Sequence, residues 1–231
     1  MSARRAFTLI ELLVLLVAIG LLCAVLFVHV LRAHEAARRA SCMGNTRQIG
    51  LAMIQYAADH DDQFPPLVDA GGNMVPAVDN EGNVSTLPSR TAFAVLLKEG
   101  YLTTTKVFLC RSSRDRYHGE DFPADYRIAR LPDLILPEKS CSYGWDPTKT
   151  HGADATCALL ADKPSKDLSA SNEGTARNNS DNHRKAGQNV FYNDGHTKWT
   201  TTSAPDSGDD PDIYLGGPGY ETSNTDAKII R

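Results

Sequence analysis

The sequence predicts an α+β protein, with a long N-terminal helix, half of it suited to a membrane, and a globular head built on a small antiparallel sheet. Three observations carry that reading. Phe7 to Leu31 holds one acid and one histidine in 25 residues, more than the roughly 20 that a helix needs to cross a bilayer. No proline occurs before Pro65, so nothing stops the helix at the end of the apolar run. Late in the chain, QNVFY and HTKWTT flank Asn193-Asp194-Gly195, a strong short-range hairpin signal.

The chain has 231 residues, 42% apolar, and a net charge of -4, enough for one medium head beside the helix. Such a balance gives no electrostatic case for a nucleic-acid partner. The charge is graded: Arg4 and Arg5 precede the apolar run, Arg32, Arg38, Arg39 and Arg47 follow it, and the acids lie mostly downstream. Arg4 and Arg5 favour a cytoplasmic N-terminus with the rest outside, while Arg32, Arg38 and Arg39 pull the other way. The run is too long for a signal-peptide core and has no small-x-small cleavage site. Leu22 before Cys23 argues against a lipoprotein signal.

After Leu31 the helix continues to about Asp59, because RAHEAARRASCMGNTRQIGLAMIQYAAD is rich in Ala and Arg and keeps its apolar residues near helical spacing. At 1.5 Å per residue it would reach roughly 80 Å. Gly44 and Gly50 are its weak points, and Met43, Ile49, Met53 and Tyr56 form the face to be covered by the head. From Val68 to Ser89 the chain reads as an irregular loop with a short hairpin around Asn80-Glu81-Gly82. Thr91 is expected to cap AFAVLLKE and Gly100 to close it. KVFLC, Lys106 to Cys110, reads as a strand, residues 111 to 140 support no assignment, and CSYGW and Ala155 to Asp162 each offer a strand. Lys163 to His183 reads as a surface loop without a buried face. The tail from Ser203 is rich in Asp, Gly and Pro.

Five cysteines are present. Cys23, inside the apolar run, reads as a small buried hydrophobe. Cys42, Cys110, Cys141 and Cys157 would lie outside the cytoplasm, where disulfides persist, and allow three pairings. Their spacings of 68, 31 and 16 residues fit no compact zinc ribbon, which argues against thiolate metal ligation.

Glu11 is the anomaly of the apolar run. A carboxylate in lipid costs a few kcal/mol unless it reaches the interface or a partner. On composition alone, an interfacial acid paired with Arg4 and Arg5 accounts for it. However, RRAFTLIELLVLLVAIGLL resembles the N-terminal signal of type IV prepilins and type II secretion pseudopilins. The resemblance implies cleavage by a prepilin peptidase between Ala6 and Phe7, methylation of the new amine, and Glu11 as the assembly carboxylate at the fifth mature position. Ala6 stands where that family usually has Gly. In an assembled filament, Glu11 would neutralise the amine of a neighbour's Phe7, satisfying two charges that lipid penalises singly.

A second resemblance rests on SCMGNTRQIGLAMIQYAADHDDQFP, KVFLC and a late His followed by Asp-Gly. These are similar to bacterial prepilin-like proteins with a C-terminal His-x-Asp-Gly domain (DUF1559-like), a group of uncertain biochemical role. Ten residues separate His183 from Asp194, where that family usually has nine. The resulting organisation is a leader over 1–6, a transmembrane half-helix over 7–31, an amphipathic half over 32–60 and a head over 61–231, with the His-x-Asp-Gly hairpin region at 183–201.

Asp194 and Gly195 suit a tight turn for backbone reasons, and His183 is read as capping or bonding that hairpin. With no nucleophile motif such as GxSxG, neither His183 nor Asp194 is assigned catalysis. Asp206, Asp209, Asp210 and Asp212 could offer oxygens to calcium, but the terminal bidentate Glu of an EF-hand is missing and a solvated acidic loop is favoured. Tyr101, Tyr117, Tyr126, Tyr143, Trp145, Tyr192 and Trp199 are read as core rather than as a stacking surface.

The sequence therefore points to a non-enzymatic pilin-like subunit of the inner membrane. Its head would be in the periplasm or on the cell surface. Its partners would be the prepilin peptidase and methyltransferase, other pilin-like subunits and membrane lipid, with no cofactor or metal and with no nucleic acid assigned. The rival is a membrane-tethered recognition protein whose head binds an extracellular polymer or partner.

Overall fold

The computed structural model describes residues 8–78, 85–116, 122–204, 212–215 and 228–230. The expected hairpin around Asn80-Glu81-Gly82 and Tyr117 lie outside them, as do Asp206, Asp209 and Asp210. The chain divides into two units, Met1–Arg38 and Arg39–Arg231, so the outer part of the long helix belongs with the head rather than forming a segment of its own.

Helix α1 runs unbroken over Leu9–Asp59, as the sequence predicts. In the first unit, Leu9–Phe27 has mean hydropathy 3.0 and no residue buried by protein, so it is apolar and long enough to cross a membrane. Cys23 is exposed there rather than buried by protein. In the second unit, Cys42, Thr46, Ile49, Ala52, Met53, Tyr56 and Ala57 are all buried. Their three- and four-residue spacing makes one continuous face.

The head holds a four-stranded antiparallel sheet in the order β3 (Tyr143–Trp145), β4 (Ala158–Asp162), β5 (Gln188–Tyr192), β6 (Thr197–Thr200). Every residue of β3, β4 and β5 is buried. A sheet covered on both faces reads as continuous rather than alternating hydrophobicity. One face, with Leu160 and Phe191, joins the core of α1 and α2 (Phe93–Glu99). The other, with Ala161, Val190 and Tyr192, packs on Ile213, Tyr214 and Ile229. Tyr143, Trp145 and Tyr192 are core residues, in line with the sequence reading.

The hairpin β5–β6 forms as expected, pairing Asn189 with Trp199 and Phe191 with Thr197. Only Gly195 of its turn has positive φ, 88°; Gly195 N donates to Tyr192 O at 2.9 Å. At Gly50 the requirement is space. A Cβ built there would clash with the Phe191 ring of β5, so the predicted weak point of the helix is where a side chain of the sheet packs on its backbone.

Four local expectations change. Lys106–Cys110 is not a strand: Thr105–Phe108 forms a 3-10 turn, which buries Thr105, Val107 and Phe108 together and stacks Phe108 on Phe93 at 4.9 Å. Thr91 does not cap α2. It lies within a 3-10 turn, Ser89–Ala92, and its hydroxyl accepts from Val68 N at 3.1 Å. Gly100 does close α2, at φ 85°. The stretch after Val68 is less irregular than expected, since β1 (Leu67–Val68) pairs with β2 (Met74–Val75) around a turn in which Asp69 accepts from the Gly71 and Asn73 amides.

The fourth correction concerns Lys163 to His183, which is not a surface loop throughout. Lys163, Ser165, Asn178, Asn179, Ser180, Asn182 and His183 are buried. They enter the interior by bonding backbone carbonyls: Ser180 Oγ donates to Lys163 O at 2.6 Å, Asn182 Nδ2 to Ser142 O at 2.8 Å and Asn179 Nδ2 to Thr201 O at 2.8 Å. Hydrophobicity patterns are blind to burial of this kind.

Cys42 and Cys110 form a disulfide with Cα atoms 5.1 Å apart, whereas Cys141 and Cys157 are buried and not disulfide-bonded. Closing a loop of sequence separation 68 restricts the unfolded chain by about 4 kcal/mol in the loop-entropy account. The bridge ties α1 to the 105–110 segment, where Asn45 Nδ2 also donates to Leu109 O at 2.9 Å.

Replacing Gly50 with Ala should destabilise the head by about 1 to 3 kcal/mol through overpacking against Phe191, despite alanine's better helix propensity. Urea unfolding of Gly50→Ala against Gly44→Ala reads this directly, because position 44 has nothing within 4 Å of a built Cβ and should be neutral or stabilised.

Candidate functional site

Two places hold the residues that the sequence singles out, one in each unit. At the helix entrance, Ala6 and Phe7 lie outside the described residues, as do Arg4 and Arg5. Glu11 is described, and its bonds are local. Thr8 N and Thr8 Oγ1 donate to Glu11 Oε2 at 2.9 and 2.8 Å, and Glu11 N donates back to Thr8 Oγ1 at 3.3 Å. This is a capping box, with Thr8 before the first turn and a carboxylate three residues on. The signal was present in the sequence as Thr-Leu-Ile-Glu. A search for charged partners passes over it, because the partner is a hydroxyl and an amide.

The second place lies in the head around His183, the first element of the His-x-Asp-Gly pattern. His183 is 2% exposed, and its Nε2 is 3.3 Å from Cys110 Sγ and 3.9 Å from Asp162 Oδ2. Its ring stands edge-on to Trp199 of β6 at 5.1 Å, and Arg39 of α1 covers the same indole at 4.4 Å. The backbone that delivers His183 is unusual. His183, Arg184 and Lys185 have φ of 53°, 57° and 61°, three successive non-glycine residues in a left-handed conformation that costs of order 1 kcal/mol or more each. Such strain persists only where surrounding contacts hold it.

Asp162, at the end of β4, is the hub of those contacts. It is fully buried and accepts from Asn189 N at 2.7 Å, Asn189 Nδ2 at 3.1 Å and Asn182 Nδ2 at 2.9 Å. Burial pushes its carboxyl up, and His183 and the amide donors partly offset that. Asn182 Oδ1 and Asn189 Oδ1 are buried with no hydrogen-bond partner among the described residues. Alongside runs a second buried polar chain. Lys163 pairs with Asp115, Ser142 Oγ donates to Asp115 Oδ2 at 2.7 Å, and Lys163 Nζ donates to Cys141 O at 3.2 Å. Burial raises the Cys141 thiol to about 11, so it stays protonated and unreactive.

Asp194 and Gly195 occupy the hairpin turn. Asp194 Oδ1 accepts from His196 N at 2.9 Å and meets His196 Nδ1 at 2.5 Å. Burial acts to raise the Asp194 carboxyl, but the bonds from His196 outweigh it and hold it below its ordinary range. His183 thus meets the hairpin through Trp199, while the Asp194 carboxylate bonds within its own turn and the Asp194 amide donates to Ala155 O at 3.2 Å. Asp212, one of the four acids considered for calcium, is buried and accepts from Gly174 N, Asn178 Nδ2, Ser203 Oγ and Tyr214 N. Its oxygens are engaged in holding loops together.

A family model described as a protein of unknown function (DUF1559) matches residues 32–209. The chain belongs to the DUF1559 family. No curated protein and no solved structure matches it. Cys42, Cys110, Asp162, His183 and Asp194 all fall within the part of the chain that matches DUF1559, whereas Glu11 and the apolar span lie before it.

The hub and the turn should separate in a stability assay. Asp162→Ala removes the acceptor of three buried hydrogen bonds and is expected to cost about 3 kcal/mol or more. Asp194→Ala, at a half-exposed turn, should cost under about 1 kcal/mol. Urea midpoints of the two oxidised variants would reveal the difference, and equal losses would contradict the assignment of Asp162 as hub.

Proposed function

We propose that this DUF1559 protein is a pilin-like subunit. A prepilin peptidase removes residues 1–6 and the new amine of Phe7 is methylated. The apolar span anchors the chain in the inner membrane, and the helix assembles with other pilin-like subunits into a filament or secretion pseudopilus. The head stands in the periplasm or at the cell surface. Phe7 and Glu11 are processing and assembly features, and no reaction is assigned to the protein itself.

The observation that carries the reading is the uninterrupted helix Leu9–Asp59, entered through a capping box inside FTLIE and continuing from a bare apolar span into residues that pack in the head. A plain anchor needs only the span. The carboxylate at its entrance adds a feature that lipid alone does not call for. Among the described residues both capping bonds fall on Glu11 Oε2, so Oε1 remains for the methylated amine of a neighbouring subunit. One carboxylate then starts its own helix and neutralises the next.

Mass spectrometry of the N-terminus of protein taken from its native membrane tests the processing step. An N-methylated Phe7 is expected, and an intact Met1 or Ser2 start would leave a simple anchor carrying a recognition head. Assembly is tested by Glu11→Gln beside Glu11→Ala. Gln preserves the capping box but removes the charge, so both variants should insert in the membrane and both should fail to enter filaments. Normal incorporation of Glu11→Gln would reduce Glu11 to a cap.

A further inference from the structure

We infer that Cys42, Cys110 and His183 form a zinc site when the disulfide is reduced. The donors Cys42 Sγ, Cys110 Sγ and His183 Nε2 all lie within 4.8 Å of one another, and all three residues are buried. A tetrahedral zinc at about 2.3 Å from thiolate sulfur and about 2.0 Å from imidazole nitrogen spreads its donors roughly 3.5 to 4 Å apart. Donors held within 4.8 Å of one another are near that spread, so rotation of the two reduced cysteine side chains brings them to it. Asp162 Oδ2, 3.9 Å from the same imidazole nitrogen, places a carboxylate at hand for the fourth position.

A disulfide serving only to close a loop has no need of a buried imidazole aimed at its sulfur. Here that imidazole is delivered by three left-handed residues and backed by a buried carboxylate that three amide donors hold in place. Two sulfurs, one nitrogen and one oxygen form a set suited to zinc among the common divalent ions. The long sequence separations hide the site, since the donors come from α1, the 105–110 segment and the turn before β5. Reduction by exchange with a dithiol, which is itself oxidised to a disulfide, delivers two electrons and two protons to the bridge and gives two thiols. Metal binding then releases those two protons to solvent as the sulfurs ligate as thiolates. The oxidised chain holds the same three residues with no thiolate to offer.

The test uses the full chain in detergent, reduced anaerobically with a phosphine, which takes up the oxygen of water while the sulfurs are reduced. After removal of excess reductant it is titrated with Co2+ and then Zn2+. One Co2+ per chain should bind with thiolate-to-cobalt charge transfer and the intense visible bands of a tetrahedral site, and Zn2+ should displace it. The oxidised chain should show none of this. His183→Ala should weaken binding by more than about 100-fold, beyond the loss typical of a residue one shell out, whereas Cys141→Ser and Cys157→Ser should bind as the wild type does. X-ray absorption at the zinc edge of the unmutated reduced chain should show two sulfur neighbours, which keeps the test open if His183→Ala fails to fold. Absence of charge transfer in the reduced wild type, or of sulfur neighbours at the edge, would overturn the site, as would undiminished binding in His183→Ala.

Discussion

Everything in the head depends on covering one face of α1. Between Cys42 and Ala57 the helix carries a continuous row of side chains that water disfavours, and each large one buried contributes about 1.5 to 3 kcal/mol. The sheet meets that row so closely that Phe191 occupies the space a side chain at position 50 would need. The disulfide from Cys42 to Cys110 and the bond from Asn45 to Leu109 O fasten the same face at its start. Burial supplies the drive, while Gly50 and the bridge fix which residues of the helix meet which strand.

Behind this apolar contact lies a polar interior of unusual extent. Asp162, Asn182, Asn189, Ser180 and His183 are buried together, and the neighbouring Asp115–Lys163 pair is nearly so. Buried polar groups of this sort contribute little net stability when paired, yet are costly when a partner is removed. Their effect is to hold one backbone path. The left-handed turn at 183–185 is the path they hold, since no local preference of His, Arg or Lys would choose it. That turn places an imidazole against the Cys110 sulfur, and the chemistry drawn from the head follows from that placement.

The helix entrance works by a simpler rule. The first turn of any helix has backbone amides without intrahelical partners and a partial positive charge, and Glu11 with Thr8 answers both. A carboxylate that would be a liability deeper in an apolar run is accommodated in the first turn. The same position leaves it at the end of the span, where the assembly proposed for this chain would need it.

How much of this was legible in the sequence depends on range. The unbroken helix, its apolar span, its buried face at Ile49, Met53 and Tyr56, the Gly100 stop and the β5–β6 hairpin follow from local composition and periodicity, because helices, caps and tight turns are governed by residues a few positions apart. The Thr8 to Glu11 box was equally local and is readable as such. KVFLC misled because a short apolar run suits a strand and a buried 3-10 turn alike, and only the stacking of Phe108 on Phe93 decides between them. The Lys163 to His183 stretch misled because its side chains are buried by bonding carbonyls from other parts of the chain.

The sequence by itself determined that a membrane-length helix leads into a mostly antiparallel head, since hydrophobic period and turn chemistry are carried by neighbours. Only the tertiary structure decided which of the cysteines pair, that Asp162 rather than Asp194 stands beside His183, and that Gly50 is a point of contact. Those outcomes join residues from 21 to 141 positions apart, and no local preference specifies which distant groups a closed chain brings within bonding distance.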